Sequence, residues 1–230
     1  MKNLAVVLAR SGSKGLPNKN IMNMAGKPLL AYTVMAAFES NMFDKVHVST
    51  DSQYYADIAT RYGADVPFLR EKALAGDNSS SWDALRYVVM EYKKRGVVFD
   101  TVTLLQPTSP LRDAIDIQNA FKVFEERKAL AVVSVCEAEY SPLLCNTLPD
   151  NNSLNMFIDI NKVGRRQDMK TFYRLNGAIY IQKTELLMNS GNLYGEKTYA
   201  YIMDKYHSID IDDEMDFYIA ESIIRKRSNM

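Results

Sequence analysis

The sequence predicts an α/β fold with a doubly wound, mainly parallel sheet, on three observations. Short apolar runs of strand length alternate with longer segments of helical period. The runs at 4–9 (LAVVLA) and 129–137 (ALAVVSVCE) are almost continuously apolar, as strands covered on both faces are. Polar clusters at 10–20, 49–52 and 106–112 each follow such a run, where the ligand crevice of an open parallel sheet lies, beyond the carboxyl ends of its strands.

Each element has its own local reason. Residues 27–40 carry Leu30, Val34 and Phe38 at spacings of four and read as a helix, with Pro28 in its first turn. The strand at 45–51 (KVHVSTD) is followed by a helix at 52–62 that closes at Gly63. Residues 79–96 combine serine caps, the apolar Leu85, Val88 and Val89, and a basic last turn, the ingredients of a third helix. A strand from 100 runs into a proline-broken loop by 110, and a helix at 114–128 leads to the strand at 129–137. From 138 to 172 the rhythm breaks into clustered Asn, Pro and Asp. That stretch is either a structured insertion or a loop, and loops so long are uncommon without a job. The pattern resumes with strands at 176–182, 199–203 and 207–211, a short helix near 183–189, and an amphipathic helix at 213–227 ending in Lys and Arg.

Bulk properties exclude several classes. Twenty-eight basic residues balance 28 acidic ones, so no overall field recruits nucleic acid or a membrane surface, and any polyanion site is local. Cys136 and Cys145 form neither a CxxC nor a Cys/His cluster, which argues against a disulfide framework or zinc site and makes a reducing cytoplasm the default. No run approaches the ~20 apolar residues of a membrane span. The opening apolar run, ended by Arg10, is too short for a signal peptide and reads as a strand.

Three constellations carry chemistry. The first is ARSGSKGLPNKN (9–20), where Gly12 and Gly15 let backbone N–H groups turn inward as an anion nest while Arg10 and Lys14 add charge. The stretch matches neither GxxxxGK[ST] nor GxGxxG, so an ordinary P-loop or dinucleotide site is not supported; a solvated turn is the other reading. The second is SIDIDDEMD (208–216). In an extended chain Asp210 and Asp212 share a face, as two oxygen donors for Mg²⁺ would, and Asp212 or Asp213 also suits the cap of the last helix. The third places Arg165, Arg166, Lys170 and Arg174 before an apolar strand, either to hold a second anion or as a solvated charge run. His47 and His207 are isolated and receive no role.

Taken together, ARSGSKGLPNKN, STD, LREKALAGDNSSS, LLQPTSPLR, RRQ…YRLNGAIY and SIDIDDEMD resemble, in order and over nearly the whole chain, the CMP-sialic acid synthetase (acylneuraminate cytidylyltransferase) family. The resemblance implies an α/β nucleotidyltransferase fold with a Rossmann-like sheet, residues 1–137 and 173–230 forming the catalytic domain and 138–172 an inserted dimerisation segment. It implies the reaction of CTP with a nine-carbon 2-keto-3-deoxy sugar acid to give a CMP-sugar and diphosphate, with Mg²⁺ as cofactor. By motif, Arg10, Ser13 and Lys14 would cradle the triphosphate, with Lys19 near the α-phosphate. Asn20, Arg70, Ser79 and Ser81 would hold cytidine, and Gln106, Asn176 and Tyr180 would face the sugar. Asp210 and Asp212 would bind the metal, Asp212 also taking the proton. Arg166, flanked by Arg165 and Arg174, would stabilise diphosphate or the sugar carboxylate, and in a homodimer with shared sites Arg165 and Arg166 would act on the partner's substrate. Such an enzyme would be cytoplasmic and supply surface polysaccharide synthesis. Related Kdo enzymes tend to continue the first loop as RLPGKP where this chain has GLPNKN, which favours the sialic acid branch; Kdo or another sugar nucleotidyltransferase is the alternative. Where several family members follow SPL with lysine, this chain has Leu144, which leaves legionaminic acid, pseudaminic acid, Kdn and other nonulosonates open.

Overall fold

The computed structural model describes residues 1–12, 15–76, 79–159, 170–189 and 192–228. Strand β1 (Asn3–Leu8) sorts its apolar side chains by alternation: Leu4 and Val6 join one core cluster, Ala5 and Val7 another, and all four are fully buried. A strand apolar on both faces must be covered on both, and the helices arrange themselves accordingly. Next along the chain come the two-residue strands β2 (Asn23–Met24) and β3 (Lys27–Pro28), then α1 (Leu29–Glu39), β4 (Lys45–Ser49) and α2 (Gln53–Arg61). These are followed by α3 (Ser81–Lys94), β5 (Thr101–Leu105), α4 (Ala114–Glu126) and β6 (Ala131–Glu137). After the irregular stretch come β7 (Tyr173–Lys183), α5 (Thr184–Met188), β8 (Thr198–Ile202) and α6 (Glu214–Ser228).

The main sheet has the order β4-β1-β5-β7-β6-β8. Every strand in it runs the same way except β7, which pairs antiparallel with both β5 and β6. The expected mainly parallel sheet therefore forms, with one reversal. Among the described residues no crossover helix separates β6 from β7, and antiparallel pairing is the arrangement that needs none. Helices α1, α2 and α4 pack on one face through Leu30, Val34, Tyr55, Ile117 and Phe121; α3 and α5 cover the other through Leu85, Val88, Tyr92 and Leu187. A third cluster, Met24, Leu29, Leu111, Ile211 and Phe217, lies beneath α6 and ties together segments far apart in sequence.

Two local expectations are corrected. Pro28 is not in the first turn of α1 but caps it in an extended conformation. Residues 207–211 are not a strand: after the short 3-10 turn Lys205–His207 the backbone is irregular, and the amide of Ile211 donates to the carbonyl of Thr108 at 2.9 Å. The alternating Ile209 and Ile211 mimic a strand because both pack against the cluster under α6, which imposes the same period without a ladder. Among the described residues no helix is long and apolar enough to cross a membrane.

Candidate active site

A cleft of about 490 Å³ opens past the ends of β1 and β5, and Arg10, Gly15, Lys19, Asn20, Arg70, Gln106 and Asp212 line it together with Ser79 and Ser81. The glycine-rich loop and the aspartate segment meet there. A Cβ added to Gly15 would stand 3.0 Å from the carbonyl oxygen of Asp212, and Lys19 Nζ donates to the carbonyl of Ile211 at 2.5 Å.

The loop is shaped by polar groups buried behind it. Ser11 donates from both its amide and its hydroxyl to the Asp51 carboxylate, each at 2.9 Å. Burial works to raise the Asp51 pKa, but the two Ser11 bonds and the field of Arg70 win and hold the carboxyl below its ordinary range. Asn20 Nδ2 donates to the carbonyl of Arg10 at 3.0 Å, and Tyr55 donates to Asn18 Oδ1, fixing a residue with φ of 56°. Arg70 is buried; Nη2 donates to the carbonyl of Ser49, while Nε has no partner among the described residues. Burial lowers the pKa of Arg70 and the neighbouring Arg10 lowers it further. Two cations so close, one with unused donor capacity, suit an anionic ligand.

On the opposite wall the capping role falls to Asp213. Its Oδ1 accepts from the amide of Asp216 at 3.0 Å, while Asp216 Oδ2 accepts from the amides of Asp213 and Asp212. The Asp212 carboxylate is thereby left to the cleft. Asp210 sits deeper: its Oδ1 is buried with no hydrogen-bond partner among the described residues. Burial raises the Asp210 pKa, the Asp212 charge adds to the rise, and the Thr108 hydroxyl, Lys19 and Arg174 pull against it. An orphaned carboxylate oxygen next to a second carboxylate is the environment that a small divalent cation relieves, so this pair fits Mg²⁺.

Beside a bulge in the β6–β7 ladder, between Val133 and Val135, Gly177 comes close to Gln106 and Asp210. Gly177 has φ of +75°, and a Cβ there would lie 2.9 Å from Gln106 Oε1 and 3.3 Å from Asp210 Oδ2. Glycine is required on both counts.

A family model described as cytidylyltransferase matches residues 4–221. The chain belongs to the cytidylyltransferase family. It is 41% identical over 229 residues to an N-acylneuraminate cytidylyltransferase of Escherichia coli, a match that covers 99% of this chain and 53% of that protein. The chain thus spans about half the length of that curated relative, as it does of a Streptococcus agalactiae relative with the same name. A CMP-N,N'-diacetyllegionaminic acid synthase of Legionella pneumophila is 36% identical, with 97% of each chain covered. Among solved structures, a CMP:2-keto-3-deoxy-manno-octonic acid synthetase complexed with CTP superposes with a TM-score of 0.74 at 16% identity, over 99% of this chain and 100% of the other, a likeness of fold.

In this cytidylyltransferase-family chain, Arg10, Lys19, Asn20, Arg70, Ser79, Ser81, Gln106 and Asp212 line one cleft. Ser13, Lys14, Arg165 and Arg166 lie outside the described residues. Arg174 is exposed, donating to the carbonyl of Ser208 at 3.4 Å with Glu139 at 3.8 Å. Tyr180 is nearly buried, edge-on to Trp82 with centroids 5.7 Å apart. Asn176 is buried beside the bulge. Its Oδ1 accepts from Ser134 Oγ and the amide of Ala178, its Nδ2 donates to Ser208 Oγ, and the side chain is buried because it repairs the ladder at the bulge. Reading the sequence missed Asp51 and Gly177. The STD run placed Asp51 at a strand end without saying what it binds, and an isolated glycine in a strand pattern signals a bulge.

Proposed function

We propose that this chain transfers the cytidylyl group of CTP to a sialic-acid-like nonulosonic acid, giving the CMP-sugar and diphosphate. The observation that carries the reading is the meeting of the cationic loop with the aspartate segment at the Lys19–Ile211 contact. It sets the cations Arg10 and Lys19 in one cleft with Asp212, and Asp210 lies behind it with a buried oxygen. The names of the Escherichia coli and Legionella pneumophila relatives support the substrate class.

In the reaction the anomeric hydroxyl of the sugar forms a bond to the α-phosphorus, the bond from that phosphorus to the β-bridging oxygen breaks, and diphosphate leaves. Positioning and charge neutralisation supply most of the rate for such a transfer. Arg10 and Lys19, with Ser13 and Lys14, hold the triphosphate; Arg70, Asn20, Ser79 and Ser81 enclose the cytidine; Gln106 and Tyr180 border the sugar. Asp210 and Asp212 would hold Mg²⁺, which when bound would neutralise phosphate charge and lower the pKa of the attacking hydroxyl. The cleft-facing Asp212 takes the hydroxyl proton.

Residues 1–137 and 173–230 form the catalytic domain in this reading, and 138–172 dimerises, placing Arg165 and Arg166 in the partner's site with Arg174 nearby. Tyr140, Leu148, Leu154 and Met156, all exposed on this stretch, support a surface that a second copy covers. The balanced charge and sparse cysteine suit a cytoplasmic enzyme whose product feeds surface polysaccharide assembly. A Kdo-type activity is the second reading, favoured by the CTP-bound structural neighbour. The test is diphosphate release with CTP, Mg²⁺ and separate N-acetylneuraminic, legionaminic, pseudaminic, Kdn and Kdo acids, followed by the product mass. A CMP-nonulosonate is the expected product; turnover of Kdo alone replaces the reading, and no turnover of any acid removes it.

A further inference from the structure

Arg112 closes the turn after β5 and is 2% exposed, a whole guanidinium inside the protein. Its Nη2 donates to Thr33 Oγ1 at 2.8 Å and to the carbonyls of Gln106 and Ser109 at 3.3 and 3.4 Å; Nε and Nη1 are buried without partners among the described residues. Burial pushes its pKa down to about 10 while Asp116 and Asp113 pull it up, so it stays charged at neutral pH. Burying a guanidinium is costly, and an apolar side chain of similar volume avoids the cost, so the reason for the charge must lie in what it holds.

It holds the wall of the cleft. Gln106 and Thr108 line that wall, and the carbonyl of Thr108 accepts from the amide of Ile211, the residue between Asp210 and Asp212. Ile211 is fully buried in the cluster that contains Leu111, and its carbonyl accepts from Lys19. Hydrogen bonds from the guanidinium to Gln106 and Ser109, the covalent backbone of the 106–109 turn, and the Ile211–Thr108 bond therefore link Arg112 to the backbone that spaces the two carboxylates.

We propose that Arg112 is a positioning residue whose buried guanidinium fixes the 106–109 turn and, through Thr108, the placement of Asp210 and Asp212. It lines no part of the cleft, and the inference rests on the proposed reaction only for its kinetic readout. The test uses the full chain with Arg112→Met and Arg112→Lys. Backbone amide exchange, measured without substrate, is expected to quicken by about tenfold in Arg112→Met at both 106–111 and 208–213, while β1 and α3 stay unchanged. Arg112→Lys, which keeps a buried donor, falls between. In turnover, kcat of Arg112→Met drops by about tenfold, half-saturation by CTP stays within about twofold, and half-saturating Mg²⁺ rises. Unchanged exchange at 208–213 in folded Arg112→Met overturns the proposal. A wild-type chain without turnover defeats the reaction and leaves the exchange result to decide the role of Arg112. Should Arg112→Met fail to fold, Thr33→Val removes the shortest bond of the guanidinium and is expected to quicken the same two segments to a smaller degree; no change in either segment overturns the proposal.

Discussion

Two groups of acidic residues flank the segment before α6, and they are built in opposite ways. In the first, Asp113, Asp116 and His207 bring three donor atoms within 4.8 Å of one another. There the protein has used the carboxylates itself. Asp116 Oδ2 accepts from His207 Nδ1 at 2.6 Å and from the amide of Asp113, Asp116 Oδ1 accepts from Tyr201 at 3.0 Å, and Asp113 Oδ1 accepts from the amide of Asp116 to cap α4. Burial works to raise the Asp116 pKa, and these bonds bring it below the ordinary value. In the second group Asp210 keeps a buried oxygen without a partner among the described residues, its pKa is raised, and Asp212 faces the cleft. Proximity of acidic groups is common to both; only unsatisfied acceptors distinguish a ligand-binding pair from an internal tie.

The sharpest way to break that contrast is Asp212→Asn. It is expected to lower kcat at least ~100-fold with little change in melting temperature, because the side chain is exposed and does not cap α6. Wild-type-like turnover by this folded variant would falsify its place in the site. Gly177→Ala comes next. With φ of +75° and Gln106 Oε1 at 2.9 Å from the new Cβ, it is expected to lose about 2–3 kcal/mol in denaturant unfolding, and a melt like wild type would mean the bulge adapts.

Asp116→Asn probes the other group. It is expected to cost about 1–3 kcal/mol of stability while kcat per folded molecule changes less than about threefold, and a large kcat loss would erase the distinction between the two groups. The smallest effect is the pH dependence of His207. Its hydrogen bond to Asp116 raises its pKa above 6.5, against burial and Arg227 and with help from the charges of Asp116 and Asp113. The stability it contributes is complete below the unfolded pKa and is lost as pH rises through the raised value. The difference in melting temperature between wild type and His207→Gln should therefore be larger near pH ~6 than near pH ~9. A constant difference would mean that packing, not charge, holds His207.

How far the chain could be read follows from what its patterns depend on. The helices and central strands were legible within a few residues, since Leu4 to Val7 and the spacing of Leu85, Val88 and Val89 answer to local periodicity and to burial on a sheet. The cationic loop was legible as well, because a plain turn needs its glycines but has no use for Arg10 and Lys19 so close to a strand end. The 207–211 stretch was misread because a period of two says that alternate residues are buried and does not say against what. The surroundings of Asn176 were illegible for a related reason: a period of two does not announce the bulge beside which its side chain bonds to Ser134 and Ser208.

By itself, then, the sequence determined the order of elements, the two-faced sheet and the set of charged groups available at its carboxyl edge, because hydrophobic period and turn chemistry are local properties. Tertiary structure alone decided which carboxylates are spent on the protein and which are left over. Whether Asp116 or Asp210 keeps an unsatisfied oxygen depends on donors from distant segments: His207 and Tyr201 serve the two oxygens of Asp116, while Asp210 Oδ1 has no partner among the described residues, and hydrogen bonds between distant residues leave no period in a chain.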